Sequence, residues 1–186
     1  MPAAHADWTV EMLDALPEDG RRYEIVDGAL YVTPAPSDVH QLVAAEFYKS
    51  IDAYLRPTTV ARALFSPADV RKDDKRRNRV QPDVFAVRLA GGKRPPYPYA
   101  LSDLLIAIEV ESPSNPFLDY QVKRELYLTN GVAEYWIASP ESRVVTACRS
   151  DRDPGAVFRE MIEWHPIGMS EPLVIDLAAL FDEALR

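Results

Sequence analysis

Leu104–Trp136, LLIAIEVESPSNPFLDYQVKRELYLTNGVAEYW, is the stretch whose reading decides the fold of this chain. It opens on five consecutive apolar residues, Leu104 to Ile108, and sets two carboxylates, Glu109 and Glu111, where the run ends. A continuous apolar run of this length predicts a strand covered on both faces. A Ser-Pro-Ser-Asn-Pro turn follows, then a helix carrying Asp119, Lys123 and Tyr127 at four-residue spacing, with Gly131 as its stop. Glu134-Tyr-Trp-Ile137 reads as the next strand. Acids at the end of a buried strand are expensive unless something binds them. The stretch therefore points to a site as well as to a sheet.

Working outward toward the N-terminus, Pro82-Asp83-Val-Phe-Ala-Val87 predicts a strand that tolerates proline at its first position. Val60–Phe65 predicts another. Between them runs Arg71-Lys-Asp-Asp-Lys-Arg-Arg-Asn-Arg79, with six basic residues and two acids. Asp38 to about Leu55 has helical apolar spacing at Leu42, Val43, Phe47, Ile51 and Leu55, with Ser37 as N-cap and Pro57 beyond its end. Arg22–Val32 reads as two strands joined by Asp27-Gly28, because a type I′ turn needs positive φ at both central residues. A short helix is expected from near Thr9 to Leu16.

Toward the C-terminus, Arg143–Arg149 and Val157–Ile162 alternate like strands of a meander. Leu173–Ile175 and a short helix, Leu177–Leu185, close the chain. Strands at both ends of long helices predict an α/β or α+β sheet with helices packed on it. At 186 residues, with no linker or repeat, the whole of 1–186 is expected to form one domain.

Composition narrows the function. The net charge of −8 excludes a protein that coats nucleic acid by bulk electrostatics. No apolar run approaches the roughly 20 residues of a membrane span, so no membrane partner is expected. Residues 1–7 show neither a basic region nor an apolar core of a signal peptide, and the single cysteine, Cys148, suits a reducing compartment. A cytoplasmic location is the expectation, with Cys148 as a small core hydrophobe.

The chemistry concentrates on a few positions. Period-two geometry sends Glu109 and Glu111 to one face of their strand, and Ile106, Ile108 and Val110 to the other. If the strand of Asp83 is a neighbour, Asp83 and Glu109 converge at one edge of the sheet. Paired carboxylates suit a hard divalent ion, which takes oxygen ligands. Asp119, Lys123 and Tyr127 form one helical stripe beside the apolar row Leu118, Val122 and Leu126. Lys123 is thereby able to lean over the acids and stabilise negative charge on a phosphate. Each position also has a plainer reading. Asp83 is placed to cap a turn, Lys123 to snorkel at the surface, and Tyr127, Tyr135 and Trp136 to fill the core.

In order and spacing, Pro82-Asp83, Glu109-Val-Glu111 and Lys123 resemble the PD-(D/E)XK nuclease superfamily with its lysine displaced onto the following helix. More narrowly, the chain resembles the bacterial Uma-type family of restriction-endonuclease-like proteins. The matching stretches are Tyr23-Glu-Ile-Val-Asp-Gly28, Pro36-Ser-Asp-Val-His40, Pro82-Asp83, Ile108-Glu-Val-Glu-Ser-Pro113, Asp119…Lys123…Tyr127 and Gly131-Val-Ala-Glu-Tyr-Trp-Ile137. The resemblance implies a restriction-endonuclease-like mixed central sheet flanked by helices, with an N-terminal β-hairpin and a C-terminal β-meander. It implies Asp83 and Glu109 as ligands of Mg²⁺ or Mn²⁺ and Lys123 as the catalytic lysine. Glu24 matches a position that supplies a further acid in some relatives, and His40 one suited to phosphate contact or proton transfer. Glu111 stands where the family often has an apolar residue, as an added ligand or a spectator.

The function expected is thus a metal-dependent endonuclease acting on DNA. Arg71, Lys72, Lys75, Arg76, Arg77 and Arg79 would hold the backbone through phosphate contacts, and a homodimer is one arrangement that would cut both strands. The alternative is a nucleic-acid-binding or regulatory module that keeps the fold without efficient catalysis, a reading favoured by the acidic balance and by Glu111.

Overall fold

The computed structural model describes residues 7–72, 77–112, 115–150 and 154–186. Helix α1 (Val10–Asp14) starts where Thr9 caps it, the hydroxyl accepting from Met12 N–H. Strands β1 (Arg22–Val26) and β2 (Ala29–Thr33) pair antiparallel. Asp27 and Gly28 between them have φ of 47° and 79°, the paired positive angles of a type I′ turn. Helix α2 (Asp38–Leu55) is capped by the Ser37 side chain, which accepts from His40 N–H at 3.2 Å. Strands β3 (Ala61–Phe65), β4 (Val70–Arg71), β5 (Arg79–Val80), β6 (Val84–Arg88) and β7 (Tyr99–Ala100) follow.

The deciding stretch then becomes strand β8 (Leu104–Val110), a wide π-helical segment Leu118–Lys123, helix α3 (Arg124–Thr129) and strand β9 (Glu134–Ser139). Gly131, with φ of 88°, lets the chain turn out of the helix. Strands β10 (Val144–Cys148), β11 (Ala156–Phe158), β12 (Met161–Trp164) and β13 (Leu173–Asp176) lead to helix α4 (Leu177–Ala184).

The main sheet has six strands in the order β11-β10-β9-β8-β6-β3. Strands β8 and β9 are parallel and their helix is the crossover between them, while the other neighbours are antiparallel. All seven residues of β8 are buried, which is why its sequence is apolar without alternation. On one face Ile106, Ile108 and Val110 join Phe47 and Ile51 of α2 and Phe181 of α4. On the other, Ala107 joins Leu126, Tyr127 and Tyr135. Each fully buried side chain of this size contributes about 1.5–3 kcal/mol through burial. A smaller sheet, β2-β1-β5-β4-β7, lies on the second side and brings the hairpin to the end of β8.

Two departures from the sequence reading have physical causes. Val157–Ile162 is not one strand but two, β11 and β12, with a break at Arg159–Glu160. Strand β11 ends the meander on β10, and β12 leaves to pair with β13. Alternation continues through both, so a period-two pattern carries no sign of the change of partner. Tyr99–Ala100, a strand that the sequence pattern does not predict, pairs in parallel with β4 directly after Pro95, Pro96 and Pro98. Cys148, Tyr127, Tyr135 and Trp136 are buried as core residues.

Candidate active site

Register brings the two expected acids together. Strands β6 and β8 pair antiparallel with Val84 opposite Ile108, so one step further sets Asp83 against Glu109. Asp83 Oδ2 accepts the backbone N–H of Val110 at 2.9 Å, which fixes its carboxylate to the end of β8. Arg22 Nη1 lies 2.8 Å from Asp83 Oδ1, and His40 Nε2 3.0 Å from Oδ2. Hairpin, long helix and central strand thus meet on one carboxylate. Arg22 also donates to Ser66 Oγ at 3.1 Å, which holds its guanidinium plane.

Lys123 is the centre of the second half. Its Nζ lies 2.9 Å from Glu24 Oε2, 3.1 Å from Glu109 Oε1 and 3.9 Å from Asp119 Oδ1. The wide turn Leu118–Lys123 sets Asp119 and Lys123 inward together, at a position where such turns recur in functional sites. Tyr127, one turn on, donates its hydroxyl to Glu109 Oε1 at 2.9 Å. Glu24 accepts the backbone N–H of Gln81 on Oε1 at 2.8 Å. Its Oε2 is buried with no hydrogen-bond partner, although Lys123 Nζ is close by; the ammonium is near enough for Coulomb attraction but lies off the bonding direction.

Burial makes these contacts count. Glu24, Asp83, Glu109, Asp119 and Lys123 are only 1–5% exposed. Four carboxyls therefore face two fixed cations, Lys123 and Arg22, with His40 beside them. Burial pushes the Glu109 carboxyl well above its ordinary value; Lys123 opposes this, and Asp83, Asp119 and Glu24 reinforce it. Burial likewise lifts Asp119 to about 6, again against Lys123. Asp83 goes the other way. Burial would raise it, but the His40 hydrogen bond and the Arg22 and Lys123 charges hold it well below the carboxylate range. Lys123 and Arg22 lose solvent too, yet the surrounding acids keep both firmly charged. Two acids pushed up beside one pushed down is the pattern by which one site divides its protonation states.

The cluster opens on a cavity of about 300 Å³ lined by Arg22, His40, Asp83, Glu109 and Lys123, among others. Its oxygen-rich donor set suits a hard divalent ion, and the Glu24 oxygen that is ion-paired with Lys123 but makes no hydrogen bond, with the surplus of carboxyls, are features that such a cation would relieve. Among the described residues no three acid, imidazole or thiol donors already surround one point. Asp83 spends its oxygens on Arg22, His40 and Val110, so an ion that reached it would replace one of these partners.

The other expected residues are placed less centrally. Glu111, half-buried, lines the rim of this cavity, and its backbone N–H bonds to Ala138 O at 2.8 Å. The described arginines of the basic stretch pair with acids of the protein itself. Arg77 pairs with Asp7 at 2.6 Å, Arg71 approaches Asp69 at 3.7 Å, and Arg79 bonds Asp14. Lys72 also has an intramolecular interaction, and Lys75 and Arg76 lie outside the described residues. None of the described four lines the acid cavity.

Arg22 was missed by the sequence reading, and Asp119 and Tyr127 were noted only as members of a stripe. Arg22 had a usable signal: two positions before Glu24 on a strand, it shares that residue's face. Asp119 had one too, four residues before Lys123. Tyr127 had none, because a buried tyrosine looks the same in sequence whether or not its hydroxyl bonds an acid.

Comparison with known proteins bears on the family and the fold. Residues 10–167 match the family model Uma2, described as "Putative restriction endonuclease". In overall fold the chain is similar to a crystal structure described as "a putative nuclease belonging to DUF820" from Anabaena variabilis. The TM-score is 0.76 and the identity 20%, over 95% of this chain and 98% of that one. No curated protein matches the chain.

Proposed function

The chain belongs to the Uma2 family, and from that premise we propose that it is a metal-dependent nuclease that hydrolyses phosphodiester bonds in DNA. The observation that carries this reading is the buried convergence of Glu24, Asp83, Glu109 and Asp119 on Lys123 at a cavity. A chain has little reason to bury four carboxyls against so few cations unless the site handles charge.

Asp83 and Glu109, with Glu24 and Asp119 beside them and Glu111 at the rim, are the residues that would hold Mg²⁺ or Mn²⁺. When bound, such an ion supplies a water of lowered pKa and offsets phosphate charge. The remaining roles belong to the chain itself. Lys123 holds Glu109 and Glu24 in place, and its ammonium stabilises negative charge developing on the phosphate. Tyr127 fixes the rotamer of Glu109. Arg22 and the Val110 N–H fix Asp83, and Arg22 faces the cavity as a second phosphate contact. His40, on the first turn of α2, is positioned to pass a proton through Nε2.

The test is cleavage of plasmid DNA by purified protein with Mn²⁺. Asp83→Ala and Glu109→Ala are expected to abolish it, and cleavage that persists in both variants would overturn the site. A second reading is favoured by one observation, the complete engagement of Asp83 by Arg22, His40 and Val110. In that reading the protein is a nucleic-acid-binding or regulatory module without efficient catalysis. Salt-dependent DNA binding with no cleavage under any divalent ion would select it.

A further inference from the structure

Beside the acid cavity lies a larger one of about 580 Å³, and the two share Arg22, Pro36, His40 and Asp83. Its walls are mostly apolar: Ala44, Ala45 and Tyr48 from α2, then Phe65 at the end of β3 and Pro67 just beyond it. The Phe65 ring stands edge-on to Tyr48, with centroids 4.7 Å apart and planes at 67°. Phe65 is nonetheless 56% exposed, so one face of the pair is left to solvent beside a strongly polar site. Gln41 and Gln81 add amide groups, and Arg21 and Arg22 bring cations.

On the far side of Tyr48 a third groove, of about 440 Å³, contains Arg56, Arg62 and Arg94. Asp52 is the only acid on its lining, and it is paired with Arg56. Arg62 donates to the Thr58 carbonyl at 2.8 Å and Arg56 is paired with Asp52, so among the described residues Arg94 is the exposed arginine of the groove without an ion pair.

Three surfaces therefore follow one another, joined by shared residues: acids with Lys123, an apolar slot with an open aromatic, then arginines. That order suits a strand of several nucleotides rather than one step, because the stretch from Asp83 to Leu89 along β6 spans about 20 Å. A base inside a duplex has both faces stacked and reaches such a slot only by flipping, whereas a single strand presents free base faces. The net charge of −8 makes a local, contact-based hold on nucleic acid more effective than a general field.

We propose that the Tyr48–Phe65 cavity receives one unstacked nucleobase of the substrate strand, with its adjoining phosphodiester at the acid cluster and a phosphate further along the strand on Arg94. The preferred substrate class is then single-stranded nucleic acid, including unpaired ends of a duplex. The inference rests on the nuclease reading for the scissile position but not for the base slot itself. Phe65 and Tyr48 supply the ring faces, and Gln41, exposed at the mouth, meets the base edge.

The test uses the full chain carrying Glu109→Gln and short oligonucleotides with 2-aminopurine, single-stranded and as a duplex. The single strand is expected to bind at least about tenfold more tightly, with a change in 2-aminopurine emission on binding. Phe65→Ala, which removes the exposed ring, and Ala45→Phe, which fills the slot, should each weaken binding by about tenfold at unchanged melting temperature. Arg94→Ala should lower the slope of log affinity against log salt by about 1. Equal binding of strand and duplex, indifferent to Phe65→Ala and Ala45→Phe, overturns the proposal. So does a concentration-dependent dimer that Ala45→Phe dissolves, because the slot would then hold a second copy. Cleavage by otherwise wild-type protein is followed in parallel. Duplex cleavage unaffected by the slot variants overturns the base slot and leaves the nuclease reading standing. Slot-dependent strand binding with no cleavage under Mn²⁺ keeps the slot and overturns the nuclease reading.

Discussion

Lys123 is a buried ammonium whose partners are themselves buried, so its removal has a steep and pH-dependent cost. Lys123→Ala leaves Glu24, Glu109 and Asp119 facing one another without a cation, and about 3–5 kcal/mol of stability should be lost near pH 8. At pH 5 the loss should shrink, because acids already pushed up by burial take protons. Urea denaturation at the two pH values measures both. Asp119 gives the converse case. Its carboxyl is raised from 3.8 to about 6 in the folded chain. Between those values the native protein keeps a proton that the unfolded chain has lost, so stability falls as pH rises through that window. Asp119→Asn should remove this slope and raise stability above pH 6 by on the order of 2–3 kcal/mol. Asp83 is held low and loses stability only as pH falls below about 4, so the two effects do not overlap. Denaturation midpoints of Asp119→Asn from pH 4 to 8 check the sign; a slope as steep as that of the unaltered chain would refute it.

Strands and caps were far more legible than the distortion within the deciding helix. The five-residue apolar run gave β8 and the Asp-Gly pair gave the hairpin turn, because each follows from local sterics or burial. Ser37 likewise announced α2. The acid pair Asp83 and Glu109 was legible once the strands were taken as neighbours. The wide π turn was not, since nothing in Leu118-Asp-Tyr-Gln-Val-Lys123 distinguishes it from ordinary helix. Nor were the ion pairs of Arg71, Arg77 and Arg79, because Asp7, Asp14 and Asp69 are remote from them or only come beside them in the folded chain. The π turn also makes a prediction at this scale. Gln121 is exposed, so Gln121→Ala should change stability by less than about 0.5 kcal/mol. Deleting Gln121 should instead regularise the turn to α-helix and cut the Asp119–Lys123 spacing from four residues to three. Asp119 and Lys123 would then no longer turn inward together, with lower thermal stability and loss of any cleavage. A deletion variant that melts and behaves like the intact chain would show that the wide turn has no role.

At the scale of the whole molecule, three separate layers spend charge at one place: the small sheet through Arg22 and Glu24, α2 through His40, and the central sheet through Asp83 and Glu109. A divalent ion that binds there binds the folded chain alone, and it should stabilise by about 2.7 kcal/mol at a hundredfold excess over its dissociation constant. The gain should grow from pH 6 to pH 8, because Glu109 and Asp119 must give up protons to the ion. Thermal melts with Mn²⁺ at both pH values test this, and Asp83→Ala should abolish the shift. Among the described residues no helix is long and apolar enough to cross a membrane.

The clamp of Arg22 on Asp83 spans 61 residues of chain, and that of Glu24 on the Gln81 amide spans 57. Contacts this remote pay their loop-closure entropy before they return anything, so they form late. During synthesis the hairpin leaves the ribosome ahead of its partners and waits, Arg22 and Glu24 hydrated, until β6, β8 and the helix of Lys123 have followed. The acids thus come together only when the strand-helix-strand unit is complete. A nascent or truncated chain ending before residue 123 would carry the acids without the lysine that gathers them, and so would hold no assembled centre.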